Sequence, residues 1–370
     1  MSVYAIKRKK GTVYRYRFMI DGQMIQSEIY DDKQQCKNDE IKAKARILSG
    51  TYTEPSNKTV QELYKEYCTL NPVRYHSQVG RNTVLKNMAA SSLAEMKISK
   101  VKSIHIEKFI HFLRSNNLKE STMRTYLNIL FGFFNWLTKH EIIGHNPTTP
   151  IDLPPEKIPP KTVLTLEEYL YRLKIIKEDY YPLYSVVLLM GMFGLRCGEA
   201  CGINVDGDFD FDNNTLTVSR QYNNVEHGAR ICALKTSTSE RTIPIIDFAL
   251  PLVKEHIHYV KKQFMCGNLP MPDDRTIPFC ASEKGGRMRP IRAAFYWKQI
   301  EKAHNWKHVR LYNLRHTFAT ICRDAGINID IIADFLGHAD PNTTKKIYAQ
   351  KTVLQFKSAS EKLDNLFKNA

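Results

Sequence analysis

The sequence predicts a multidomain chain, mainly α-helical with small β-sheets, and three observations carry that expectation. Within the first 50 residues a period-two pattern runs into a hairpin signal. From residue 59 to about 145, apolar residues recur at three- and four-residue spacing. Beyond residue 160, helical patterns surround a short block of strand-like segments. A length of 370 residues suits two or three domains, and a hydrophobic fraction of 43% is enough to build their cores.

In Val13–Ile20 the tyrosines, Phe18 and Ile20 alternate with Val13, Arg15, Arg17 and Met19, as in a strand with two unlike faces. Asp21-Gly22 is a strong turn signal, and Met24 to Tyr30 is the expected return strand. A charged segment from Asp32 to Leu48 reads as a helix ending at Gly50, completing a three-stranded sheet plus helix over residues 1–50. One face carries Arg15 and Arg17, with a basic arm of Lys7, Arg8, Lys9 and Lys10 nearby. Such a face is either simply solvated or suited to a nucleic-acid groove.

Thr51 to Lys58 is polar, contains Pro55 and reads as a linker. Thr59-Val60-Gln61-Glu62 has the capping-box pattern, starting a helix through Tyr67. Further helices are expected at Asn82–Met88, His105–Ser115 and Ser121–Lys139, the last with a core stripe of Met123, Leu127, Leu130, Phe134 and Leu137. Residues 59–147 are therefore a helical domain closed by Asn146-Pro147. Pro150, Pro154, Pro155, Pro159 and Pro160 make a stiff connector.

The third unit, 161–370, opens on a second capping box, Thr165-Leu166-Glu167-Glu168, followed by an apolar helix over Leu183–Phe193. Thr215–Val218, Ile231–Leu234 and Thr242–Ile245 read as three strands of one antiparallel sheet, after which helices dominate again.

A formal net charge of +16, spread along the whole length, favours a polyanionic partner, most commonly nucleic acid. No apolar run approaches the roughly 20 residues of a membrane helix. No apolar signal core follows Lys7–Lys10. The eight scattered cysteines show no zinc-ligand spacing. Cys197, Cys201 and Cys232 fall in apolar stretches and, with the others, read as reduced, mostly buried thiols of a cytoplasmic protein. There is neither a Walker-type loop nor an acidic cluster for two metals, so no cofactor or metal is expected.

The chemistry concentrates in five segments taken in order: Gly194-Leu195-Arg196-Cys197-Gly198-Glu199, Leu234-Lys235-Thr236, Leu311–Thr320, Leu336-Gly337-His338 and Thr343–Ala349 with Tyr348. Cleaving a DNA phosphodiester requires preorganised donors that neutralise a pentacoordinate phosphorus. Arginine suits this task because its planar fork binds two phosphoryl oxygens and stays charged. Arg196 and Arg315 are the candidates.

Taken together, these segments resemble the tyrosine recombinases of the phage and transposon integrase family. Arg-x-x-Glu or a lone lysine is weak alone, but Leu-Arg-His-Thr-Phe-Ala-Thr followed by Leu-Gly-His and then tyrosine is specific. The resemblance covers residues 59–350 well. It implies Arg196 and Arg315 as catalytic arginines, Glu199 as the buttressing acid and Lys235 as the donor to the leaving 5′-hydroxyl. It further implies His338 as a phosphate ligand and Tyr348 as the nucleophile of a 3′-phosphotyrosyl intermediate. Tyr312 departs from the pattern, standing where the family has histidine or lysine. Its hydroxyl can donate to a phosphate but carries no positive charge, and a packing role is the alternative. His316 reads as structural, and His308 has no motif support.

The resemblance also implies functions for the other units: an arm-type DNA-binding domain at 1–50, a core-DNA-binding domain at 59–147, and an α+β catalytic domain at 161–370. A tail helix over Val353–Phe367 would dock in cis or in trans. The implied partners are double-stranded DNA at core and arm sites, a homotetramer on DNA, a host DNA-bending protein and an excision factor. A decayed, non-catalytic regulator fits poorly with five intact site residues. A type IB topoisomerase shares the chemistry, but the basic N-terminal sheet favours recombination.

Overall fold

A computed structural model describes residues 3–8, 11–20, 23–48, 56–153, 162–225, 228–234, 239–272 and 275–337. The expected Asp21-Gly22 turn, the helix end at Gly50, the linker residues Thr51 to Pro55, the prolines at 154, 155, 159 and 160 and the Val353–Phe367 helix lie outside them. The chain forms two compact units, Met1–Lys157 and Ile158–Ala370.

The first unit begins with an antiparallel sheet of β1 (Val3–Arg8), β2 (Gly11–Ile20) and β3 (Gln23–Gln26) in the order β1-β2-β3, followed by α1 (Lys33–Leu48). Period two is obeyed along β2. Tyr14, Tyr16 and Phe18 join Val3, Ile25, Tyr30 and, from α1, Cys36 and Ala43 in a small core. Arg15 and Arg17 take the other face, where Arg15 pairs with Tyr4 and Arg17 with Gln26. The Asp32 carboxylate accepts from the amides of Gln34 and Gln35 and so starts α1.

Two expectations change in this sheet. Lys7 and Arg8 are not a free arm but the end of β1, where they pair with Thr12 and Gly11. Lys9 and Lys10 lie outside the described residues. The return strand stops at Gln26, and Tyr30 makes an isolated bridge to Tyr14.

The helices α2 (Val60–Leu70), α3 (Tyr75–Ala89), α4 (Ser103–Ser115) and α5 (Glu120–Lys139) enclose a second core. Thr59 and Glu62 form the expected reciprocal capping box at the start of α2. All five residues of the α5 stripe are buried. The helix expected at Asn82 starts seven residues earlier, at Tyr75. Only Val84 and Met88 of α3 are buried, so its first two turns show no apolar period. Asn146 is buried and ties the chain after α5 back to it, donating to the Phe131 carbonyl and the Asn135 side chain.

The second unit contains α6 (Leu166–Asp179), α7 (Tyr181–Met192), the short α8 (Cys197–Ala200), β4 (Phe209–Asp210), β5 (Thr215–Val218), β6 (Arg220–Val225), β7 (Gly228–Ala233) and β8 (Arg241–Pro244). These are followed by α9 (Ala249–Met265), α10 (Pro290–Ala303), α11 (Asn313–Asp324) and α12 (Ile329–Leu336). Every residue of α7 from Leu183 to Met192 is buried, which explains why the helix is apolar on all sides. It packs against α6, α8, α10 and α11 and forms the spine of this unit.

The strands do not form the single expected sheet. β5 and β8 pair within β4-β5-β8, while β7 pairs with β6 in a separate two-stranded ribbon. β6 reads Arg-Gln-Tyr-Asn-Asn-Val and is half-buried along its length. A ribbon with no dry face produces no alternation to read. The thiols also differ from expectation: Cys36, Cys201 and Cys280 are buried, four others are half-buried and Cys266 is exposed.

Gly191 marks the tightest approach to the spine, because a Cβ there would overlap the ring of Tyr169 on α6. That ring is buried, and its hydroxyl donates to the Val187 carbonyl at 3.2 Å. Gly191→Ala is expected to destabilise the chain by about 1–3 kcal/mol through overpacking. Denaturant unfolding measures this, and an unchanged midpoint would contradict the packing described.

Candidate active site

Three segments meet at the carboxylate of Glu199. The first is the turn from α7 into α8. Gly194 adopts φ +65°, and a Cβ there would stand 2.6 Å from the Phe318 ring and 2.9 Å from Leu336. Glycine therefore satisfies both the left-handed backbone and the close approach of α11 and α12. Arg196 then caps α8, its amide donating to Glu199 Oε2 at 2.9 Å and its Nη1 to Oε1 at 2.6 Å. Its Nη2 donates to the Gly337 carbonyl at 3.2 Å.

The second segment is α11, which carries Arg315. Its Nη1 donates to the Gly194 carbonyl at 2.7 Å, its Nη2 donates to the Leu336 carbonyl at 2.5 Å, and Nη1 lies 3.8 Å from Glu199 Oε2. α11 is itself anchored on several sides. Thr317 Oγ1 accepts from the Leu164 amide, and Asn313 donates to the Thr162 carbonyl. The strand-like approach to α11 is held by a buried pair, Arg172 Nη1 to Glu301 Oε1 at 3.1 Å. Glu301 also accepts from the Val309 amide at 2.8 Å and contacts His308 Nδ1 at 2.7 Å, which gives His308 a structural place.

The third segment is the start of β8. Arg241 Nη2 donates to Glu199 Oε2 at 3.0 Å, Nε to the Phe335 carbonyl at 2.7 Å and Nη1 to the Ser239 carbonyl at 2.9 Å. One carboxylate is thus shared by three guanidiniums.

Burial alone would raise the pKa of Glu199, but Arg241, Arg196 and Arg315 outweigh it and hold the group below its ordinary 4.5. Burial lowers the pKa of Arg315 to about 10, helped by repulsion from Arg196 and Arg241 and opposed by Glu199. Exposure separates the three cations. The Arg196 side chain is 33% exposed, Arg241 7% and Arg315 1%. Arg196 is therefore the member of the cluster that a ligand can reach most directly.

Of the residues expected from sequence, Arg196, Glu199 and Arg315 are brought together. Lys235, His338 and Tyr348 lie outside the described residues. Tyr312 precedes α11, is 48% exposed and meets the ring of His316 edge-on at 5.3 Å. It is close enough to Arg315 to influence its charge. His316 is buried. Lys7 and Arg8 close β1, while Arg15 and Arg17 share the outer sheet face.

Arg241 was not expected. Its acceptors are 2, 42 and 94 residues away in the chain, and no local pattern marks such a residue. Its position just after the polar run that follows Lys235 was the available signal. Among the described residues, no three His, Cys, Asp or Glu side chains are grouped to hold a metal ion, and no helix is long and apolar enough to cross a membrane.

Comparison with known proteins gives the family of the chain. The phage integrase family matches residues 162–354. A tyrosine recombinase XerC-like protein of Caldanaerobacter subterraneus is 27% identical over 292 residues, covering 75% of this chain and 74% of the relative. The transposase from transposon Tn916 of Enterococcus faecalis is 25% identical over 336 residues, covering 87% and 80%. Among solved structures, the Tn1549 transposon integrase in complex with a circular intermediate DNA superposes with a TM-score of 0.71 at 25% identity, covering 82% of this chain and 99% of that one. The chain belongs to the phage integrase family and is a tyrosine-type recombinase.

The lowered pKa of Glu199 links the site to stability. A carboxylate with a depressed folded-state pKa stabilises the fold above its ordinary value of 4.5, and this is lost as pH falls through the folded value. Glu199→Gln is expected to lose about 3–5 kcal/mol at neutral pH, because three buried or half-buried cations lose their counter-charge. It should also flatten the acid limb of the unfolding temperature against pH. An acid limb as steep as that of the unaltered chain would show that Glu199 does not carry it.

Proposed function

We propose that this recombinase is the integrase of a mobile element, cutting and rejoining DNA at specific sites through a 3′-phosphotyrosyl link on Tyr348. The observation that carries the reading is the Glu199 cluster, which assembles Arg196 and Arg315 from distant segments and leaves Arg196 partly open. Two arginines held on one buried acid form a preorganised cationic site, suited to a phosphate whose charge grows at pentacoordination.

In the proposed step the Tyr348 phenol passes its proton to solvent water as its oxygen bonds to phosphorus. The bond to the 5′-oxygen then breaks, and the Lys235 ammonium protonates the departing oxygen. Arg196, Arg315 and His338 hold the non-bridging oxygens, and the Tyr312 hydroxyl donates to one of them. A 5′-hydroxyl from a partner strand reverses the step. The phosphodiester's energy is conserved in the phosphotyrosine, so the exchange needs no nucleotide cofactor.

The partner is double-stranded DNA, in keeping with the net charge of +16 and with the DNA complex of the Tn1549 relative. Residues 59–147 take the core site. The outer face of the N-terminal sheet, with Arg8, Arg15 and Arg17, takes arm sites together with Lys7, Lys9 and Lys10. A homotetramer exchanges the strands on DNA, assisted by a host bending protein and an excision factor.

Tyr348→Phe is expected to abolish the covalent protein–DNA adduct on a nicked substrate that traps it. An adduct that persists in this variant rejects the assignment. For Tyr312→Phe, losing one hydrogen bond to a charged phosphate should cost about 1.5–3 kcal/mol, or roughly 10–100-fold in cleavage rate. Cleavage at the unaltered rate would leave Tyr312 a packing residue.

A further inference from the structure

We propose that Arg241 is a positioning residue for strand cleavage: it holds the Glu199 carboxylate and the end of α12, the two places from which the Arg196 guanidinium is oriented. This rests on the reading above that Arg196 binds the scissile phosphate. Among the described residues the Arg196 side chain has two acceptors, Glu199 Oε1 at 2.6 Å and the Gly337 carbonyl at 3.2 Å. Arg241 bonds the first directly and braces the helix end that carries the second. Its Nη2 donates to the other oxygen of Glu199 at 3.0 Å, so the carboxylate cannot rotate without breaking a second charged bond. Its Nε donates to the Phe335 carbonyl at 2.7 Å in the last turn of α12, two residues before Gly337.

The Arg241 side chain also lies close to Gly337. A Cβ there would stand 2.9 Å from Arg241 Nη1, and Gly337 has φ +62°, a backbone conformation that favours glycine. The third donor fixes Arg241 itself on the Ser239 carbonyl at 2.9 Å. At 7% side-chain exposure Arg241 is much less open than Arg196, so it acts on the phosphate through Arg196. A lysine keeps the charge, but its single nitrogen cannot serve three acceptors spread around a planar fork.

The test uses the full chain and a nicked duplex carrying the recombination site from the element that encodes it. The scissile phosphate is either natural or replaced by a methylphosphonate, which lacks one negative charge and so demands less of the arginines. For Arg241→Lys, DNA binding should stay within about threefold of the unaltered chain, natural cleavage should slow by about tenfold or more, and the methylphosphonate defect should shrink to within about threefold. Arg196→Ala is the control and should show the same relief.

Equal slowing on both substrates, or no slowing, overturns the proposal, because a merely structural role does not discriminate phosphate charge. If Arg196→Ala shows no relief while Arg241→Lys does, the assignment of Arg196 to the phosphate is at fault, and the inference falls with it. Arg241→Gln stands in if Arg241→Lys does not unfold cooperatively on heating. Loss of folding in both makes Arg241 a residue of the fold alone and overturns its positioning role.

Discussion

The second unit depends on one buried carboxylate and the cations around it. Glu199 is 1% exposed, and burying an isolated carboxylate is strongly unfavourable, as is gathering Arg196, Arg241 and Arg315 in one place. Each is tolerable only because the other is there. The bonds they share bring the start of α8, the start of β8, one face of α11 and the end of α12 to a common point. Stability and site geometry therefore reside in the same interaction, and disturbing either disturbs both.

The surrounding architecture keeps that point rigid. α7 is buried along its length and delivers Gly194 and Arg196 directly from the core. The Arg172–Glu301 pair repeats the device. It is a buried acid holding a buried arginine, a backbone amide and a histidine, and it fixes the segment that leads into α11. Arg172 also lies over the Trp306 ring at 4.8 Å, so its burial is offset by an aromatic face as well as by charge. Arg315 is thus located by α11 at one end and by two backbone carbonyls at its guanidinium.

Much of the fold could be read from local patterns, and the exceptions share a cause. The capping boxes at Thr59 and Thr165, the α5 stripe and the alternation along β2 are short-range arrangements whose partners lie within a few residues. The first turns of α3 and the strand β6 escaped because they bury little, and a segment without a dry face writes no period into its sequence. Lys7 and Arg8 were misread as an arm because the strand they end is paired through residues further along the chain. In the site, Arg196, Glu199 and Arg315 were legible through their motifs, whereas Arg241 was not.

The sequence by itself determined the class of chemistry: the order of arginine, lysine, arginine, histidine and tyrosine segments, the helical character of most of the chain and the positive charge that suits DNA. Those properties are linear, held in residue type and spacing. The tertiary structure alone decided which arginine is open and which are buried, that one carboxylate serves three guanidiniums, and that Arg241 ties that carboxylate to the end of α12. Such facts depend on carbonyls and carboxylates up to 141 residues away, and distance in space between remote segments is set only when the core closes.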